Sequence, residues 1–475
     1  MPAIPILSGI YANGSPDFRT AYPVNMVPVP MATGISEAYL RPADGLVATA
    51  QSPYGVGRGG INYEGALYRV LGSKLVRIDS LGTVTVIGDV GDDGKPVTFD
   101  YSFDQMCIAS CGNLFYSNGT TLVQNVDPDL GTVVDVVWVD GYFMTTDGEF
   151  LIVTELNDPL QVNNLKYASS EADPDPIVAL LKVRNEVGAL NRYTIEVFDN
   201  VGGVGFPFQR IEGAQIMKGC VGTHACCVYQ EAMAFLGSGR NEAPGVYVGV
   251  NATAQKVSSR EVDEILATFT EAQLATAVLE ARNDRGHELL YVHVPDRTLV
   301  FDAAASKALG GAVWFVLTSS IQGLAQYRAR WFVWAYDAWQ VCDTLGPTFG
   351  RTSQSVSTHW GDVVRWEFST PIVYNESRGA IFNELELIAL PGAPTVPPGV
   401  PSYGPPVVTT DYSLDGVTWS IPHTISAGAP GQRTKRIAWR RQGHMRNWRI
   451  QRFCGDSYAH LPVARLEADL EPLAW

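Results

Sequence analysis

The stretch LEARNDRGHELLYVHV, residues 279–294, decides the architecture. Two runs of apolar and β-branched residues flank a polar turn at Arg285-Gly286, the pattern of an antiparallel hairpin. The second run also carries His287, Glu288 and His293, residue types that serve metal or acid/base sites. A helical zinc-protease motif needs its second histidine four residues after the first, and that position is Tyr291. On a strand, His287 and His293 share a face about 20 Å apart, too far to grip one ion, and Glu288 points the other way. The stretch predicts a hairpin without chemistry.

The same unit recurs along the chain. GINYEGALYRV, YSFDQMCIAS, VVWVDGYFMTT, LKVRNEVGAL, GTHACCVY and LAQYRARWFVWA each set a polar turn between apolar strands. The turn centres fall near residues 65, 104, 141, 186, 224, 285 and 329. Most spacings lie close to the roughly 40 to 50 residues of a four-stranded propeller blade. The long spacing before 285 contains two helix-start boxes, Ser258 with Glu261 and Thr270 with Gln273, so a helical insertion is expected at about 259–282. Sheets stacked around an axis protect one another's edges. The expected fold is therefore mainly β, with a β-propeller over residues 55–350. Six blades are favoured and seven are possible, because seven starts also suit six blades with one closed by strands from both chain ends.

Past residue 350 the texture changes to long strands, interrupted by PGAPTVPPGVPSYGPP, a stiff proline-rich loop at 391–406. In TTDYSLDGVTWSIPHTI, Asp415-Gly416 predicts a two-residue hairpin turn. Residues 351–475 thus form a separate antiparallel β domain. Residues 1–54, rich in proline, are expected to drape over it and complete it, with the propeller inserted between.

Composition narrows the function. The chain has 475 residues, 46% hydrophobic and 17% charged, with 46 glycines and 29 prolines, as a turn-rich globular protein should. A formal net charge of -15 argues against general attraction to nucleic acid or an anionic membrane. No run of about 18 apolar residues suits a membrane span, and the N-terminus lacks signal-peptide features, so assembly in a cytosol is expected. The seven cysteines form no CxxC pair and read as buried free thiols, so no metal site is expected. GVGRGG, with Gly55, Gly57 and Gly60, matches a dinucleotide-binding pattern only in letters, since a hairpin rather than a helix follows, and no cofactor is expected. SLDGVTW resembles the Asp-box hairpin of sialidase-type propellers with one residue missing, and that box is structural. No carboxylate pair stands out for glycoside hydrolysis. In WFVWAYDAW, Phe332, Trp334 and Tyr336 fall on one strand face and Trp331 with Trp339 on the other, which suits packing between blades.

The clearest electrostatic feature is QRTKRIAWRRQGHMRNWRIQRF, residues 432–453. It holds Arg433, Lys435, Arg436, Arg440, Arg441, Arg446, Arg449 and Arg452 and no acid. Three readings stand beside one another: a solvated strand face, a subunit or adaptor interface, and direct contact with nucleic acid. The interface is favoured.

CVGTHACCVY, and then EVDEILATFTEAQLATAVLEARNDRGHELLYVHVPDRTLVFDAAAS, resemble the tail nozzle, or packaged-DNA stabilisation, proteins of short-tailed bacteriophages. YPVNMVPVP and AYLRPADGL resemble that family's opening, and KRIAWRRQGHMRNWRI its closing segment. The resemblance implies a structural virion part without catalytic residues. It implies a homohexameric ring beneath the portal and its adaptor, retaining packaged DNA and forming the duct for genome ejection. Implied partners are the adaptor, a tail needle, tailspikes or tail fibres, and duplex DNA passing without sequence recognition. A propeller glycoside hydrolase and a carbohydrate- or protein-binding propeller remain the alternatives from the residues alone.

Overall fold

The computed structural model describes residues 3–12, 17–31, 34–170, 173–203, 205–376, 378–392, 406–458 and 460–473. Residues 393–405 of the proline-rich loop lie outside them. Among the described residues, seven antiparallel sheets follow one another over 57–89, 98–124, 135–169, 177–210, 219–256, 278–317 and 329–353, taken here as blades 1 to 7. Their first strands pack in sequence from Gly57–Tyr63 through Thr98–Tyr101, Asp135–Val139, Ile177–Val183, Cys226–Tyr229 and Val278–Asp284 to Ala329–Ala335, which returns against Gly57–Tyr63. The wheel therefore closes with seven blades and not the favoured six. Blade 7 takes its fourth strand, Gly45–Gln51, from the N-terminal segment, where it pairs with Thr348–Ser353. One blade is thus closed by strands from before and after the rest of the wheel, but it is the seventh, and the chain itself runs on from it into the second domain.

The turn positions near 65, 104, 141, 186 and 285 fall at the first hairpins of their blades. At Glu64, Asp140 and Arg285 the backbone has positive φ and a glycine follows, the geometry whose twist matches that of the flanking strands. Two positions move. Blade 5 turns at Gln230-Glu231 rather than 224, because its leading strand is split into Gly219–Cys220 and Cys226–Tyr229, both paired with Ala232–Ser238. Blade 7 turns at Tyr336-Asp337 rather than 329, after a bulge in which Trp331 takes φ 61°. The bulge shifts Trp331 and Phe332 out of the expected alternation, and the tight turn at Tyr336-Asp337 sets Trp334 directly opposite Trp339, with ring centroids 5.5 Å apart.

The insertion between blades 5 and 6 holds two short helices, Arg260–Leu266 and Glu271–Leu274. The Thr270–Gln273 capping box forms in both directions. The first cap is Ser259 rather than Ser258, because the Ser258 hydroxyl is already taken, accepting from the Val246 N–H and donating to Asp263. Val262, Leu266 and Leu274 face the core shared by blades 4 to 6, each such buried side chain contributing about 1.5–3 kcal/mol.

The remaining strands form a β-sandwich. One sheet runs in the order Met26–Pro30, Ala38–Pro42, Val463–Pro472, Ala380–Ala389 and Ile437–Arg440, with Ala3–Ile4 and His444–Met445 added at its flanks. The other is Arg365–Ser369, Trp448–Asp456, Val407–Ser413 and His423–Ser426, with Val373–Tyr374 beside Trp448–Asp456. Met26 and Leu40 from the N-terminal segment join Phe368, Phe382, Trp439 and Phe453 in its core, while Gly45–Gln51 of the same segment goes to blade 7. Asn25 is the rivet between the domains. Its side chain donates to the carbonyls of Thr318 in blade 6 and Arg365 in the sandwich, and accepts from the Thr318 N–H. Burial pushes the neighbouring Asp44 carboxyl up, but Arg41 and Arg282 more than offset it and hold it at about 2.

Candidate functional site

The histidine stretch assembles no reaction centre. His287 Nδ1 lies 2.6 Å from Asp302 Oδ2, and Asp302 also caps the helix Ala303–Leu309 by accepting from the Ala305 N–H. His293 is wholly buried, with Nδ1 2.9 Å from Thr298 Oγ1 and Nε2 3.0 Å from Glu280 Oε2. Burial lowers its pKa against the pull of Glu280, which keeps the ring neutral at physiological pH. Each histidine thus has its own carboxylate, and Glu288 hydrogen-bonds Gln230 instead. These bonds tie blade 6 to its helix and to blade 5.

One mouth of the wheel opens a cavity of about 1050 Å³, lined among others by Arg58, Lys95, His224, Cys111 and Arg330. Part of its polar lining is committed, while Arg330 Nε and Thr344 Oγ1 are buried without a hydrogen-bond partner among the described residues. The buried Arg58 guanidinium donates to the carbonyls of Gly72, Gly91 and Lys95 and to Asp93, stitching blade 1 to the link into blade 2. Burial pulls His224 down to about 4, so it is neutral. Asp135 on blade 3 is buried and accepts from the Leu180 N–H of blade 4. Burial raises its pKa to about 6. Among the described residues, no group of three or more His, Cys, Asp or Glu is placed to hold a metal ion.

The Asp415-Gly416 turn forms, but inside the longer connection between Val407–Ser413 and His423–Ser426 rather than as a two-residue hairpin. Pairing stops at Thr410↔His423 because Asp415 folds the loop on itself, accepting from the N–H groups of Val417 and Thr418. Gly416 has φ 74°, and a Cβ there would meet Ala12 at 2.8 Å, so the turn clamps the N-terminal segment.

The eight cations of the basic strip do not act as one surface. Arg449 is fully buried, its guanidinium 4.1 Å from the Phe382 ring and 3.8 Å from the Tyr412 ring, donating to Gln451 Oε1 and the Gln442 carbonyl. Burial pushes its pKa down to about 9, still cationic at neutral pH. Arg452 forms a two-pronged pair with Asp411 at 2.9 and 2.5 Å. Arg436 pairs with Glu384 and Glu386, and Arg440 with Glu384. Arg433, Lys435, Arg441 and Arg446 are exposed and have no ion partner among the described residues. They flank Ile437–Arg440, a strand that ends its sheet.

A second charged surface escaped the sequence reading. Residues 96–165 contain ten acids and no lysine, arginine or histidine. This span is blade 2 and most of blade 3, and Asp104, Asp129, Asp140, Asp147, Glu149 and Asp158 are exposed on it. Its mark in the sequence is an absence of bases rather than a cluster of acids.

Residues 2–357 match the family model described as Bacteriophage P22 Gp10, beta-propeller, and residues 365–471 match the model described as Bacteriophage P22 Gp10, beta-sandwich. The tail hub protein gp10 of Salmonella phage P22 is 25% identical over 469 residues, covering 93% of this chain and 94% of that protein. Among solved structures, the WD40 domain of Neurospora crassa Pan2 is similar with a TM-score of 0.42 at 11% identity, covering 65% of this chain and 97% of that one. The N-terminal domain of Nup159 has a TM-score of 0.40 at 8% identity, covering 69% and 98%. Because the propeller and sandwich models follow one another along this chain as its two domains do, the protein belongs to the bacteriophage P22 Gp10 family, a structural component of the phage tail hub in the virion and not an enzyme.

Proposed function

We propose that the chain forms a hub ring of six copies beneath the portal and its adaptor, retaining packaged DNA and extending the duct through which it leaves. The observation that carries this reading is the correspondence with a tail hub protein across 93% of the chain, both domains included. Adaptor, tail needle, tailspikes or tail fibres are the expected neighbours. Charge supports passage of DNA without capture: six copies would carry a formal charge of about -90, and duplex DNA slides past a weakly repelling wall but sticks to a basic one. The duct wall is accordingly net acidic, and the exposed cations Arg433, Lys435, Arg441 and Arg446 serve subunit or adaptor contacts.

Native mass spectrometry of the chain, alone and with purified portal and adaptor, tests the reading. Six-copy rings, formed alone or on the adaptor, are expected. A chain that stays monomeric under both conditions, or an assembled particle whose lumen is lined by most of the exposed cations, would overturn it.

A further inference from the structure

We propose that copies of this chain meet head to tail, the acidic outer face of blade 3 on one copy receiving the basic sandwich edge of the next. The contact rests on the ring reading above and names the two surfaces that close the ring.

The first surface is an open sheet edge with apolar side chains in water. Asp158–Ser169 is the outermost strand of blade 3, with Phe150–Glu155 as its sheet neighbour. Its register jumps from Ile152↔Tyr167 to Thr154↔Val162, so residues 163–166 stand against Val153 alone and bulge outward. The bulge leaves Leu165 79% exposed. Beside it, Asn125 donates to the Pro159 carbonyl and Asp127 accepts from the Val162 N–H, which fixes Val126 on the same rim at 81% exposure. Asp129, three residues on from Val126, and Glu149, at the turn that leads into Phe150–Glu155, have no ion partner among the described residues, and Lys166 in the bulge is taken up by Glu155. A long strand edge carrying exposed aliphatic groups is the kind proteins normally cover or blunt, so this one is built to be covered.

The second surface is the opposite in sign. Ile437–Arg440 is also an open sheet edge, and Arg433, Lys435, Arg441 and Arg446 around it lack internal partners among the described residues. The two edges also lie at opposite ends of the subunit. The sandwich is fastened to blades 6 and 7 through Val24, Asn25 and Leu46, and in a wheel of seven, blades 2 and 3 lie across the axis from blade 6. A subunit with a positive and a negative pole joins its copies heterologously, and such a contact closes into a ring when its rotation divides a full turn.

The test uses charge reversal at positions without internal partners, Asp129→Lys with Glu149→Lys in one chain and Arg433→Glu with Arg441→Glu in another. Each variant is assembled with portal and adaptor and its ring yield read by native mass spectrometry. Either reversal alone should lower the yield about ten-fold or more, as desolvated charge pairs do. Mixing the two variants should restore rings with alternating chains, because each reversed face then meets a reversed edge and each native face a native edge. A single chain carrying all four reversals should also assemble, which separates loss of contact from misfolding. Wild-type yield from both single reversals, or no recovery on mixing and in the four-fold variant, overturns the contact while leaving the ring reading in place. Rings from the Arg433/Arg441 variant that form normally but fail to hold DNA would assign those cations to DNA and equally overturn it. A wild-type chain that never forms rings sinks the ring reading and the contact with it.

Discussion

Gly350→Val attacks the closure of the wheel at a point where nothing can yield cheaply. A Cβ at Gly350 would lie 2.0 Å from the Val47 carbonyl oxygen and 2.8 Å from the Thr49 nitrogen, both backbone atoms of the closing strand Gly45–Gln51. No side-chain rotation relieves that clash, so the strand must shift. Overpacking of this kind costs about 1–3 kcal/mol where the backbone adjusts. The ceiling is set by release of the strand, which forfeits burial of Leu46, about 1.5–3 kcal/mol, and ladder bonds of about 1 kcal/mol each along its pairing with Thr348–Ser353. A destabilisation of about 2–4 kcal/mol is expected. Hydrogen exchange followed by mass spectrometry reads it locally: amides of 45–51 and 348–353 should lose protection while those of blades 2 to 4 keep theirs. Unchanged protection across 45–51 in the variant would refute the claim that this pairing holds the wheel shut.

Three further outcomes follow from buried charge. Arg449→Ala should destabilise the sandwich by about 3–5 kcal/mol in denaturant melts, since it opens a cavity between Phe382 and Tyr412 and leaves the Gln451 and Gln442 acceptors unpaired. Arg449→Met should recover about half of that loss by refilling the space, and an alanine variant as stable as wild type would show that the stack contributes nothing. Asp135 has a folded pKa of about 6, above its ordinary 3.8, so its contribution favours folding below about pH 4 and fades as pH rises through 6. That amounts to about 3 kcal/mol, and Asp135→Asn should gain stability relative to wild type between pH 4 and 7, a prediction that parallel melting profiles would reject. Asp44 runs the other way: held at about 2, it stabilises the fold above about pH 4 and loses about 2 kcal/mol as pH falls toward 2. Asp44→Asn should therefore flatten the acid limb of the unfolding curve, measured by tryptophan fluorescence, and an unchanged limb would place the acid sensitivity elsewhere.

How much was legible varied with the range of the interaction. Hairpins at Glu64-Gly65, Asp140-Gly141 and Arg285-Gly286 announced themselves because a positive-φ turn between β-branched runs is a local code. The first helix cap slipped by one residue because Ser258 and Ser259 are chemically alike, and only the Val246 amide, twelve residues away, decides which hydroxyl is spent. The basic strip was visible as a run of letters but not as a surface. Strand alternation turns Arg449 into the core, and the partners of Arg436 and Arg440 sit some fifty residues earlier on Ala380–Ala389.

By itself the sequence determined that the chain folds as a series of four-stranded β units followed by a second β domain, since period-two patterning and turn chemistry act within a few residues. Tertiary structure alone decided that there are seven blades, because the count depends on where Gly45–Gln51 pairs with Thr348–Ser353, far along the chain. It also decided which charges face water, because strand register, and not composition, brings a cation to its acid or leaves it free for a neighbour.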